Sequence, residues 1–261
     1  MMSWIEALIL GLLQGLTEFL PVSSSGHLEL GKYLLGVDAE RSLAFTVAVH
    51  GATVLSTIVV FRSDLLKVIK GLFELKWNDS WQFVSRIGVS MIPVLIVGFF
   101  FKDYVESFYS GNIRFVGFML IITAVLLSFT YLKRTFNRKI NFSDAFIIGI
   151  AQAFAVLPGI SRSGATISTG LMLGTQRENI ARFSFLMVLI PIIGANLLDV
   201  LSGEMTNNSG VGITAILVGF IAAFVSGLFA CKWMISIVKR GRLIFFAIYC
   251  FIIGMVAILL L

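Results

Sequence analysis

Charge is scarce in this 261-residue chain: Asp, Glu, Lys and Arg together make up 13% of it, against roughly 25% in an average soluble domain. Hydrophobic residues make up 58%, and mean hydropathy is +0.97. With half the usual charge the chain cannot cover a water-facing surface, so its solvent must be apolar and a soluble domain is excluded. Proline occurs only four times, and 24 Phe among many branched residues exclude disorder. Cysteine is limited to Cys231 and Cys250, each inside an apolar run, which excludes a disulfide framework. The formal charge is +6, but the basic residues lie in short loops between apolar runs, where they set topology and meet anionic lipid headgroups. Nucleic acid is therefore not an expected partner. No basic region precedes the apolar start at Trp4 and no small-residue cleavage site follows it, so this segment is read as part of the mature protein.

A helix crossing about 30 Å of hydrocarbon needs about 20 mostly apolar residues. Six runs between charges fit: Ser42 to Phe61, Trp81 to Phe101, Phe115 to Leu132, Phe183 to Leu198, Val211 to Cys231 and Leu243 to Leu261. Two more segments, Ile5 to Leu20 and Ala145 to Leu157, each end at a Leu-Pro pair followed by a Ser/Gly-rich turn. Proline removes a donor and disfavours helix in the residue before it, so both are predicted to turn back as re-entrant hairpins buried in protein. The expected fold is an all-α polytopic membrane protein with six transmembrane helices and two re-entrant helical hairpins. Counting Lys and Arg by face gives 14 on one side (among them Arg62, Lys67, Arg138 and Arg242) and 4 on the other (Lys32, Arg41, Lys102 and Arg114). The richer face is predicted to be cytoplasmic, with both termini and the first hairpin opening outside.

Residues 7–28, ALILGLLQGLTEFLPVSSSGHL, and residues 145–166, AFIIGIAQAFAVLPGISRSGAT, share a skeleton. At an offset of 138, Ala7, Gly11, Gln14, Ser23, Ser25 and Gly26 meet Ala145, Gly149, Gln152, Ser161, Ser163 and Gly164. Three predicted spans separate the copies, an odd number, so the single membrane domain is predicted to be an inverted-topology repeat of residues 1–132 and 133–261. Hairpins entering from opposite faces can meet near the midplane.

The first hairpin carries Gln14, Glu18, Ser23, Ser24, Ser25, Gly26 and His27; the second carries Gln152, Ser161, Arg162, Ser163, Gly164 and Thr166. A charge at the bilayer centre costs from about 3 to above 10 kcal/mol, so Glu18 and Arg162 must be paired or hydrated. Gln14 and Glu18, four residues apart, share a helix face, where a carboxylate and an amide oxygen can hold a hard cation such as Mg²⁺. The bland alternative is a polar stripe packed against its own repeat. Each Ser-rich turn precedes a predicted helix, Leu28 to Leu35 or Ala165 to Leu173, so amide groups at a helix start, clustered hydroxyls and a Gly make an anion site. Arg162 adds a bidentate donor suited to phosphate. Ordinary N-caps would explain the serines but not the recurrence of the turn. For phosphoryl transfer, Ser24 or a neighbouring hydroxyl could attack, or His27 could; His27 could also move the proton, Glu18 could orient a base or hold a cation, and Arg162 could stabilise the developing charge. The sequence leaves Ser24 and His27 both open as nucleophile. His50, midway along an apolar run, is read as pocket-lining or as a satisfied interhelical hydrogen bond.

At these residues the chain resembles the bacitracin-resistance family of undecaprenyl-diphosphate phosphatases. The likeness lies in Gln14 to Glu18 leading into Pro21 to His27 (Pro-x-Ser-Ser-x-Gly-His) and in Pro158 to Thr166 (Pro-Gly-x-Ser-Arg-Ser-Gly-Ala-Thr), and extends through Phe61-Arg62, Phe183 to Leu186 and Phe246 to Tyr249. The resemblance implies hydrolysis of undecaprenyl diphosphate to the monophosphate at the outer face of the bacterial plasma membrane, recycling the lipid carrier for peptidoglycan and conferring bacitracin resistance. It implies a divalent cation, Mg²⁺ or Ca²⁺, and a catalytic set of Glu18, Ser24, His27 and Arg162. Gln14, Ser23, Ser25, Gly26, Ser161, Ser163, Gly164 and Thr166 would bind substrate, and Glu18 with Gln14 would meet the metal. The partners implied are the polyprenyl diphosphate and the bilayer, with homodimerisation left open.

A polyprenyl-phosphate flippase or other transporter is the main rival, because inverted repeats with broken helices are its usual architecture. The dense Ser/His/Arg/Glu set is more reactive than transport requires. A phosphatidic-acid type of phosphatase needs a further His after its Ser-Arg element, and this chain has none beyond His50.

Overall fold

A computed structural model describes residues 2–37, 43–108, 112–132, 137–201 and 211–259. Arg41, Lys133 and Arg134 of the loop-charge count, the start of the Ser42 run, the end of the Leu261 run and residue 133, where the second repeat is predicted to start, lie outside these residues. The described chain is helical, with an isolated bridge between Arg138 and Thr175. The first hairpin is α1 (Trp4–Phe19) and α2 (Ser24–Leu35), followed by α3 (Leu43–Val60), α4 (Arg62–Phe73), α5 (Asp79–Phe100), α6 (Lys102–Ser107) and α7 (Ile113–Leu132). The second hairpin is α8 (Phe142–Phe154) and α9 (Arg162–Met172), followed by α10 (Arg177–Met187), α11 (Leu189–Leu201), α12 (Ile213–Arg240) and α13 (Ile244–Leu259). Both hairpins turn where the Leu-Pro pairs predict, and α2 and α9 start at Ser24 and Arg162, earlier than the sequence pattern suggested.

By length and composition, three described helices suffice to cross a membrane: Asp79–Phe100, Ile113–Tyr131 and Ile213–Arg240. Residues 44–60 and 62–73 pass that test only as a pair bent by 75°. The predicted span Phe183 to Leu198 is not one helix. It breaks at Val188 between α10 and α11, because Pro191 has no N–H to offer the carbonyl of Met187, four residues back. The predicted span Val211 to Cys231 continues to Arg240 and ends at Gly241, whose φ of 68° closes the helix.

Apolar side chains face outward: Ile92, Leu95 and Phe99 of α5, Leu217, Ile221 and Phe229 of α12, and Phe245, Ile248 and Ile252 of α13 are all exposed. Hydroxyls face inward and bond to backbone, as Ser56 does in donating to the Phe224 carbonyl of α12 at 2.8 Å. This is the pattern of a chain whose outer solvent is lipid. The packing is reciprocal: α1 lies along α12, α8 along α5, and α7 against α13. Small residues permit these approaches. A Cβ on Gly117 would lie 2.8 Å from the Gly254 carbonyl oxygen, and one on Gly254 would lie 2.8 Å from that of Gly117. Gly88 faces open space.

Gly117→Ala is therefore expected to lower stability by about 1–3 kcal/mol through overpacking, whereas Gly88→Ala should be neutral or gain up to about 1 kcal/mol of helix propensity. Thermal unfolding in detergent checks this; equal effects of the two variants would show that the α7–α13 crossing is not tight.

Candidate active site

Leu20 ends α1 in an extended conformation ahead of Pro21, and the chain reverses through Val22 and Ser23. Ser23 caps α2 with φ 72°, a conformation uncommon for a residue with a side chain. Three bonds hold it there. Its hydroxyl accepts from the Gly26 N–H at 3.2 Å, and its carbonyl accepts from the His27 backbone N–H at 3.0 Å and from His27 Nδ1 at 2.9 Å. Because a carbonyl only accepts, Nδ1 carries the proton. In the neutral ring Nε2 then accepts from the Tyr249 hydroxyl at 2.9 Å, and the two rings stack with centroids 5.5 Å apart. His27 is buried with both nitrogens engaged, so it braces the turn from behind.

The second turn is pinned differently. Ser161 caps α9 by accepting from the Gly164 N–H at 3.0 Å. Thr123 of α7 accepts from the Ser161 N–H at 2.9 Å and donates to the Gly159 carbonyl at 3.1 Å. Gly159 has φ 99° and lies so close to α7 that a Cβ would sit 2.5 Å from the Val116 carbonyl, so glycine is required. The two turns touch: Ser163 donates to the Leu20 carbonyl at 3.3 Å, and a Cβ on Gly26 would come within 3.0 Å of the Gly159 Cα.

At this junction Arg162 Nη2 pairs with Glu18 Oε1 across 144 residues of sequence. Ser24 Oγ donates to Glu18 Oε2 at 2.6 Å, and Gln14 Nε2 donates to the same oxygen at 3.0 Å. The Glu18 carboxylate thus accepts three bonds, two from ionic or hydroxyl donors. A cavity of about 420 Å³ opens over the pair, lined by Glu18, Ser24 and Ser25 from one turn and Ser161, Arg162 and Ser163 from the other. Val94, Val156, Val188 and Ile192 make its walls apolar, while Thr46, His50 and Gln152 add polar groups. His50 Nδ1 donates to the Thr46 carbonyl at 2.8 Å, which leaves Nε2 of the neutral ring as an unprotonated base. Arg162 Nη1, Thr46 Oγ1, Gln152 Oε1 and Gln14 Oε1 are buried without a protein partner. Buried polar groups are nearly always bonded, so such orphans mark where a ligand or water belongs.

The sequence-predicted residues thus divide. Glu18, Ser24, Ser25, Ser161, Arg162 and Ser163 share the cavity, with Gln14 behind Glu18. His27, Ser23, Gly26 and Gly164 form the turns beneath it, and Thr166 is buried against Ser184 at 2.6 Å. Thr46, Thr123 and the bonding role of Tyr249 were not visible in the sequence pattern; an isolated hydroxyl within an apolar run was the only signal. For a divalent cation, no group of three His, Cys, Asp or Glu side chains occurs among the described residues. Gln14 presents Nε2, not Oε1, to Glu18 and is fully buried outside the cavity lining, while the Glu18 oxygens already accept from Arg162, Ser24 and Gln14, so the pair as placed does not offer two free oxygens to a divalent cation.

Fold and site together define a multi-spanning, all-helical membrane protein with an apolar-walled cavity, lined at one end by Glu18, Arg162 and serine hydroxyls, at the junction of two hairpins. The chain belongs to the bacitracin resistance protein BacA family, whose model matches residues 7–256. It is 54% identical over 262 residues to the undecaprenyl-diphosphatase of Bacteroides thetaiotaomicron, covering 99% of each chain. It is also similar to proteins of the same description from Salinibacter ruber, 40% identical over 267 residues and 97% of each chain, and Korarchaeum cryptofilum, 40% identical over 268 residues and 98% of each chain.

Because Glu18 is buried, Arg162→Ala is expected to cost about 3–5 kcal/mol of stability by leaving the carboxylate unpaired. Adding Glu18→Gln should restore part of it. Thermal unfolding of the single and double variants checks the coupling, and additive losses would contradict it.

Proposed function

We propose that the protein hydrolyses undecaprenyl diphosphate to undecaprenyl phosphate and inorganic phosphate, with Ser24 as the nucleophile. The observation that carries this reading is the bond from Ser24 Oγ to Glu18 Oε2 at 2.6 Å, with Arg162 on the other carboxylate oxygen, at the floor of a cavity with apolar walls. The relatives' shared description supplies the substrate class.

Glu18 Oε2 takes the Ser24 proton as Oγ attacks the terminal phosphorus. The bond from that phosphorus to the bridging oxygen breaks, and the lipid monophosphate leaves with the electron pair. Arg162 Nη1, unpartnered and buried, is free to donate to the phosphoryl oxygens as charge develops, and the Ser25 hydroxyl lines the same cavity. Water then attacks the phosphoserine phosphorus as His50 Nε2 accepts its proton, the bond from phosphorus to Ser24 Oγ breaks, Glu18 Oε2 returns its proton to Oγ, and inorganic phosphate leaves. A divalent cation, Mg²⁺ or Ca²⁺, is proposed as a requirement of the reaction; bound by the diphosphate itself it would neutralise that group's charge. His27 is a positioning residue: its ring fixes the strained Ser23 turn that presents Ser24.

The reciprocal packing of α1 on α12 and α8 on α5 supports an inverted repeat of residues 1–132 and 133–261. The loop-charge asymmetry supports a plasma-membrane orientation with the site opening outward, where the carrier presents its diphosphate after polymer assembly.

Phosphate release from undecaprenyl diphosphate by purified protein, with and without Mg²⁺, tests the reading. Arg162→Lys keeps the charge and loses the fork, and is expected to reduce turnover about 10²- to 10³-fold. Ser24→Ala should abolish it. No release from well-folded protein would put a transport role first. His50→Gln should slow turnover about 10²-fold or more by removing the proton acceptor, with KM little changed; unaltered kcat would remove His50 from the mechanism.

A further inference from the structure

A second cavity, of about 220 Å³, lies between α4, the start of α5, the segment before α8, and α10. Its volume is below the roughly 300–1,000 Å³ of sites for drug-sized ligands, which suits a small polar group. Its charge is lopsided. Lys67, Arg86, Lys139 and Arg182 line it together with Asp79, and Asp64 pairs with Arg182 at 3.1 Å, so four cations meet two carboxylates. Among the described residues Lys67, Arg86 and Lys139 have no carboxylate partner. Arg86 donates Nη2 to Gln82 at 2.8 Å and lies over the Phe142 ring, while its Nε is buried without a bond. Arg182 lies over the Phe83 ring. Both guanidinium planes are thus fixed by aromatic contacts, with donors still available to an anion.

The surroundings identify the source of that anion. Helix α4 bends 75° away from α3, carries Lys67 and Lys70, and leaves Leu66, Ile69 and Phe73 exposed; Phe73 is 82% exposed, and beyond it Leu75 is 85% and Trp77 65% exposed. A short helix with basic and apolar faces, followed by an exposed Trp, belongs in the headgroup layer. Acyl chains would cover the apolar side while the phosphate sits among the cations.

We propose that this cavity binds the phosphate of an anionic phospholipid headgroup, at a site separate from the Glu18–Arg162 cavity and sharing none of its residues. The probe is phosphatidylglycerol, titrated into the full-length protein in neutral detergent and counted as bound lipid by native mass spectrometry, beside phosphatidylcholine and inorganic phosphate. Phosphatidylglycerol should bind at least about five-fold more tightly than phosphatidylcholine, and millimolar inorganic phosphate should not displace it. Lys67→Gln with Lys139→Gln should erase the preference while thermal unfolding and phosphate release stay as in the wild type, because both side chains are exposed. Lys70→Gln, exposed on the same helix but off the cavity, should change nothing. Undiminished preference in the double variant, an equal loss in Lys70→Gln, or displacement by inorganic phosphate would each overturn the proposal.

Discussion

Everything in this molecule depends on one ion pair inside an apolar solvent. Glu18 and Arg162 are each too costly to bury alone, and pairing them requires two turns 144 residues apart to meet. That meeting in turn requires both α1 and α8 to stop partway, which the Leu-Pro pairs enforce, and requires each to be held at the right depth by α12 and α5. Small residues make those contacts close enough to be rigid. The same pair leaves its surplus donor, Arg162 Nη1, and the Ser24 hydroxyl at the floor of a cavity whose walls are apolar. On the proposed function, a structural solution to burying charge would thereby also receive a phosphate carried on a hydrocarbon chain.

Backbone strain is concentrated at the same place. Ser23 adopts a left-handed conformation only because Gly26, the His27 backbone and the His27 ring all bond to it. His27 is itself fixed by Tyr249, 222 residues away in sequence. The turn that leads into Ser24, the proposed nucleophile, is therefore braced from α13, by a residue remote from the cavity. Thr123 of α7 does the corresponding work for the second turn.

The hairpins, their recurrence and the Gln14–Glu18 face could be read directly from the sequence, because proline, serine and helical spacing act locally. That Glu18 and Arg162 must each be paired or hydrated followed from the cost of burying either, whereas their pairing with each other came from the structure. What could not be read depends on distant partners. His27 resembles a catalytic base in the motif, yet its two nitrogens are committed to Ser23 and Tyr249, and no local pattern reveals Tyr249's orientation. His50, by contrast, lines the cavity because α3 passes the junction. The run Phe183 to Leu198 is uniformly apolar, so hydropathy reads one span, while Pro191 opens the helix at Val188. The bend between α3 and α4 is likewise invisible to an apolar count.

The stereochemical course at the terminal phosphorus tests the mechanism most directly. Undecaprenyl diphosphate made chiral at that phosphorus with sulfur and oxygen isotopes would be turned over by the purified protein and the released thiophosphate analysed. Attack by Ser24 followed by attack of water comprises two in-line displacements, so net retention is expected. Net inversion would mean a single displacement by water, with Ser24 reduced to a phosphate ligand, and would contradict the covalent route.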